Sequence, residues 1–279
     1  MSESANEILY HERIADPLFR TAVDLMDTGD IDNLIAHLKR YPQLVNQRER
    51  LGTDDYFDAP SLLEFVAENP IRHGQVQAVA VDVARAIIDA GADADSVNAT
   101  LGLVCSGRIV RESGQQIPLV NLLCESGARP DQAMEGALGH GEFAAVDALI
   151  ERGATMSLPI AAATGRTDLV KSSLADAGAG DRQLALAYAS QYGHLDVVTS
   201  LLKAGVSPDG FNPDGAHGHS TPLHQAALGG HIDVVRTLVE HGARTDLQDK
   251  FHNATARDWA AHGGDADTIE FLQQVENKR

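Results

Sequence analysis

The chain has 279 residues, a formal net charge of −18 at pH 7 and a pI near 4.9. That acidity disfavours phosphate binding, and the local basic clusters, Arg48/Arg50 and Lys278/Arg279, are too short to make a nucleic-acid-reading face. No apolar run reaches transmembrane length, and Met1 to Arg20 has neither a basic start nor an apolar core, so a cytoplasmic protein without membrane association is expected.

In chain order, Gly29-Asp30-Ile31-Asp32 leads into Leu34-Ile35, a first helix junction followed by an apolar pair. From there six glycines, Gly91, Gly127, Gly153, Gly178, Gly205 and Gly242, each end an apolar stretch in the same frame. Four and three residues before them lie Ile87/Ile88, Leu123/Cys124, Leu149/Ile150, Leu174/Ala175, Leu201/Leu202 and Leu238/Val239. Eight and seven residues before them the pattern recurs, from Val83/Ala84 to Val234/Val235. These offsets put an apolar stripe on one face of a helix, and glycine ends the helix without a Cβ penalty. Each unit of such a repeat buries its stripe only against its neighbours.

The clearest unit reads Ser220-Thr221-Pro222-Leu223-His224-Gln225-Ala226-Ala227, then Gly230-His231-Ile232-Asp233-Val234-Val235, then Leu238-Val239-Glu240-His241-Gly242-Ala243. It resembles the ankyrin repeat in its Thr-Pro-Leu-His start, its Gly-His junction and its Gly-Ala terminator. Gly193-His194-Leu195-Asp196 precedes it with the same junction, and Thr255-Ala256-Arg257-Asp258-Trp259 follows as a modified start. Upstream the pattern is degenerate: Gly165-Arg166, Gly141-Glu142 and Pro60-Ser61-Leu62-Leu63-Glu64 keep parts of it. The resemblance implies an all-α ankyrin-repeat solenoid of about eight helix-turn-helix units with short or inserted β-turn fingers. An extension, 1–17, would precede one domain, 18–277, with approximate units 18–47, 60–95, 99–131, 132–156, 157–181, 182–214, 220–251 and 254–277. Uneven terminator spacing predicts insertions around Asn69 to Gly74, from Gly107 to Gln116, and from Ser207 to Ser220.

Two cysteines are present. Cys124 takes a stripe position and Cys105 ends an apolar run, which reads as two small buried hydrophobes in a reducing compartment. No Cys-x-x-Cys, phosphate-cradling glycine loop or Gly-x-Ser-x-Gly elbow is present.

The resemblance gives His194, His224 and His231 framework duties as hydrogen-bonded tethers, and His241 can satisfy helix-terminal carbonyls. His217 and His219 match no ankyrin position. They lie in the inserted finger, and in an extended hairpin residues at i and i+2 share a face. They are therefore candidate ligands of a divalent metal or a small molecule, with Asn212 and Asp214 nearby, although zinc requires three or four ligands. Tyr188, Gln225 and Trp259 align at one position of successive first helices, the side on which the family holds its partners. They are candidate contact residues there, the bland alternative being that the two aromatics pack between units. Glu64 and Asp258 align with His224, where a carboxylate must find donors of its own.

Two functions remain open on the sequence. One is a stand-alone adaptor or regulator, without cofactor or chemistry, holding a protein partner for which the acidic charge leaves a basic surface suitable. The other is a metal-binding or small-molecule-binding solenoid, enzymatic in its sharpest form, built on the finger 207–220.

Overall fold

A computed structural model describes residues 13–52, 59–68, 73–213 and 216–278. The chain divides into two compact units, Met1–Thr155 and Met156–Arg279. Among the described residues both are helical, with no strand beyond the isolated bridges Arg48–Ser61 and Gln248–Thr255.

In the first unit α1 (Pro17–Thr28) pairs with α2 (Ile31–Arg40), and a 3-10 helix (Leu62–Ala67) pairs with α3 (Ala80–Asp89). Next, α4 (Ala94–Ser106) is followed by the short α5 (Arg108–Glu112) and pairs with α6 (Gln116–Glu125), and α7 (Pro130–Gly139) pairs with α8 (Phe143–Glu151). First helices pack on first helices and second on second, which gives two layers. The local reasons are visible in α1. Asp16 caps it by accepting from the amides of Leu18 and Phe19, Pro17 occupies the first turn, and Phe19, Ala22, Val23 and Met26 form the buried face. Gly29 ends it at φ 69°, in the left-handed region.

The second unit repeats the plan. Its pairs are α9 (Leu158–Ala163) with α10 (Thr167–Ser173), α11 (Ala179–Gln191) with α12 (Leu195–Lys203), α13 (Pro222–Leu228) with α14 (Ile232–Glu240), and α15 (Ala256–Gly263) with α16 (Ala266–Glu276), again in two layers. Val197, Val198, Leu201, Val234, Val235 and Leu238 belong to its core, as the stripe predicts.

One glycine behaves differently from its expected role. Gly178, read as a terminator, has φ −66° and ψ 162° and caps the start of α11. The preceding helix has already ended at Ser173, and Ala175 is exposed, so this short unit has no last turn for a glycine to close. The expected insertion near Asn69 lies mostly outside the described residues, as does most of the extension 1–17. The segment Gly107 to Gln116 carries α5, which buries Ile109 and Val110.

Histidines tie successive pairs of the second unit. The Nε2–H of His194 donates to the Ala163 carbonyl at 2.9 Å, and that of His231 to the Gln191 carbonyl at 3.0 Å, because a carbonyl can only accept. The junction glycine makes room for the ring: a Cβ at Gly193, where φ is 74°, would stand 2.6 Å from His231 Nδ1. In the first unit Glu142 holds the equivalent position, and an ionised carboxylate cannot donate. It is 3% exposed and instead accepts from Arg111 of α5 and from the Gln116 amide. The inserted helix thus supplies the cation that its neighbour's acidic junction needs. Arg111→Ala should destabilise the chain by about 2 kcal/mol in urea unfolding, less than a fully buried pair would lose because the guanidinium is half exposed. Adding Glu142→Gln should restore most of that loss, and an unchanged midpoint in the single variant would dismiss the ion pair.

Both cysteines are free thiols. Cys105 is fully buried, and burial pushes its thiol up to about 12, so it is an inert core residue. Cys124 is partly buried.

Candidate binding cleft

Two neighbouring fingers and the helices that follow them build the cleft. In the first finger Asn212 N–H donates to the Ser220 carbonyl at 2.8 Å. The chain then turns back, with Ser220 N–H on the His217 carbonyl at 2.9 Å and His217 in the left-handed region at φ 58°. Ser220 is fully buried, and its hydroxyl accepts from the amides of Gln225 at 3.0 Å and Asn212 at 3.3 Å while donating to the His217 carbonyl.

The second finger closes on one carboxylate. Asp249 is 1% exposed. Its Oδ1 accepts from the amides of Phe251 (2.8 Å) and His252 (2.7 Å), and its Oδ2 accepts from Ala254 N–H (3.2 Å) and the Trp259 indole N–H (3.0 Å). Burial alone would raise its pKa, but these four donors outweigh it and hold the carboxyl well below the usual carboxylate range. The same bonds set the finger's turn and fix the plane of the indole.

Lys250 joins the fingers. Its N–H donates to the His219 carbonyl at 2.9 Å and its ammonium to the Gly218 carbonyl at 3.1 Å, with Nζ 4.3 Å from the Phe211 ring centre. Phe251 lies on His219 with ring centres 4.6 Å apart and planes 15° from parallel. His219 is in turn 5.6 Å from Trp259, and Trp259 is 5.3 Å from His224.

His224 anchors this wall from behind. Its Nε2–H donates to the Ala254 carbonyl at 3.1 Å, so Nδ1 is free to accept from the hydroxyl and amide of Thr221. Burial lowers its pKa, which keeps the ring neutral for both duties. At the equivalent place in the next helix, Asp258 Oδ2 accepts from the amide (2.8 Å) and hydroxyl (2.7 Å) of Thr255, and these bonds lower its pKa. Glu64 does the same in the first unit with Ser61 and adds Arg48 at 2.8 Å. All three groups are reciprocal helix caps.

Between the fingers and the first helices opens a cleft of about 380 Å³, lined by His219, Leu228, His252, Ala254, Asp258, Trp259 and His262. Of the residues expected from the sequence, His219 and Trp259 line it. Tyr188 is 2% exposed and Gln225 4% exposed, so neither can anchor a partner. Tyr188 stacks on Tyr192 inside the second unit and Gln225 braces Ser220; both first helices turn that position inward. Asn212, also 4% exposed, belongs to the finger's frame for the same reason. Asp214 lies outside the described residues. His217 is exposed, and a turn at Gly218 stands where an extended strand was expected. The His217 and His219 rings meet edge to face with centres 6.0 Å apart. Among the described residues no three His, Cys, Asp or Glu side chains converge as a metal site would require. Sequence reasoning missed Leu228, Phe251, His252 and His262 as cleft or rim residues, and Asp249 as the residue that sets the second finger and the indole.

The family model for ankyrin repeats in three copies matches residues 158–249 and again 186–278. Residues 158–278 are ankyrin repeats. Among curated proteins, none matches the chain. In these ankyrin repeats the finger and first-helix side, to which all the cleft residues belong, carries Phe251, a large apolar side chain left 73% exposed. No helix among the described residues is long and apolar enough to cross a membrane.

Proposed function

We propose that the protein is an adaptor or regulator that holds a protein partner across the fingers and first helices of its ankyrin repeats, centred on the Trp259 cleft. The observation that carries this reading is Phe251, a large apolar side chain exposed beside the Trp259 cleft. Tryptophan is enriched among the side chains that carry binding energy at protein interfaces, and aromatic residues are enriched in their buried cores. The net charge of −18 favours a basic partner. Free thiols are in keeping with a reducing compartment, and we assign the protein to the cytoplasm.

Selection of random displayed peptides against the full chain tests the proposal, with Trp259, its only tryptophan, as the reporter. Selected peptides should shift Trp259 emission on binding and bind Phe251→Ser about tenfold more weakly, the effect of one aromatic anchor. Peptides that bind Phe251→Ser equally well and leave the emission unchanged would move the partner surface elsewhere.

A further inference from the structure

The geometry points to an arginine side chain of the partner as the occupant of the Trp259 cleft: its guanidinium stacks on the indole and pairs with the Asp258 carboxylate. This rests on the interaction-module reading above and adds the chemistry of the ligand.

Charge comes first. Asp258 is the cleft-lining residue with a permanent charge, and both Thr255 bonds converge on its Oδ2, so Oδ1 remains for a ligand. Asp249 adds a second carboxylate at the nitrogen edge of the indole, 3.0 Å from Nε1. Of the neighbouring cations, Arg257 is paired with Glu276 at 2.7 Å while its charge also reaches Asp258, and Lys250 is held on Gly218 and Phe211. The cleft also meets Leu228, the last residue of α13, and His262, in the last turn of α15. Helix C-termini carry partial negative charge, which favours a cation at that end too. An anionic ligand would face the opposite of each of these terms.

Shape selects arginine over lysine. The indole is held by its bond to Asp249, and His219 is tilted 42° to it with Phe251 stacked on His219. At 5.6 Å the His219 and Trp259 rings leave no slot between them, so a ligand must lie against the part of the indole that lines the cleft. A planar guanidinium does so while presenting N–H groups in its plane to a carboxylate on the adjacent residue. An ammonium has no such face and stays more strongly hydrated.

The test titrates the full chain with acetylated, amidated Gly-Ala-Arg-Ala-Gly and with its lysine, citrulline and glutamate counterparts, following Trp259 emission. The arginine peptide should saturate the signal, with the lysine and citrulline peptides about tenfold weaker and the glutamate peptide silent. Asp258→Asn should lose about tenfold in arginine-peptide affinity. Asp265→Asn, which removes a carboxylate from the cap of α16 outside the cleft, should bind normally, so lost helix stability or lost net charge elsewhere cannot mimic lost charge at Asp258. Equal binding of the arginine and citrulline peptides, unaltered binding by Asp258→Asn, or no binding of the arginine peptide would overturn the assignment. The interaction-module reading survives any of these if displayed peptides lacking arginine still bind and shift Trp259 emission, and it falls with the assignment if no displayed peptide does so.

Discussion

Asp249→Ala is expected to destabilise the protein by about 3 kcal/mol and to release Trp259, because one carboxylate holds three backbone amides and the indole together. The cost stays below the sum of four charged hydrogen bonds, since amides in an opened finger regain water. Urea unfolding gives the energy, and a red shift of native Trp259 emission reports the loosened ring. The pH dependence carries a sign. The folded-state pKa of Asp249 lies below its unfolded value, so its contribution is fully present above the unfolded value near pH 4 and is lost as pH falls toward the folded one. The gap between wild type and Asp249→Ala should therefore be constant from neutral pH to about pH 5 and narrow on further acidification. A gap that widens in acid, or a variant as stable as the wild type, would contradict the role given to this residue.

Leu238→Asp should have an effect of similar or greater size by another route. Leu238 is fully buried in the core of the second unit, together with Leu201, Val234 and Val235. A carboxylate there must either stay charged without a partner or take up a proton, and the leucine's packing is lost in both cases. The expected cost is on the order of 3 kcal/mol or more, which is a drop of roughly 10 °C in melting temperature. Thermal unfolding by circular dichroism checks it, and a normal melt would remove Leu238 from the core.

The helices were legible because their signals are local and repeated. Leu201, Leu238, Val197 and Val234 fall at fixed distances before glycines that take positive φ, and both halves of that pattern reflect backbone and packing rules confined to a few residues. Gly178 was misread for the same reason: the spacing is right, but the helix before it stops early. The cleft was only half legible. His219 and Trp259 stood out as departures from the repeat, whereas Tyr188 and Gln225 share the aligned position of Trp259 but face inward. Which way that position turns depends on packing against the neighbouring pair, which one repeat read alone does not specify. Asp249 had a readable local signal, an aspartate followed by a polar turn ending at Thr255, since such side chains fold back on the next amides. What no local pattern could show is that its other oxygen reaches a tryptophan ten residues on.

The tethers of the second unit have a consequence for how it folds. His194 reaches Ala163 across 31 residues, His224 reaches Ala254 across 30, and His231 reaches Gln191 across 40. Every one of these links closes a loop about the length of a single repeat, so no step has to bring distant parts of the chain together before any contact rewards it. Refolding of this unit can start at whichever helix pair forms first and spread by docking the next one, which makes it a growth process rather than a search for one nucleus.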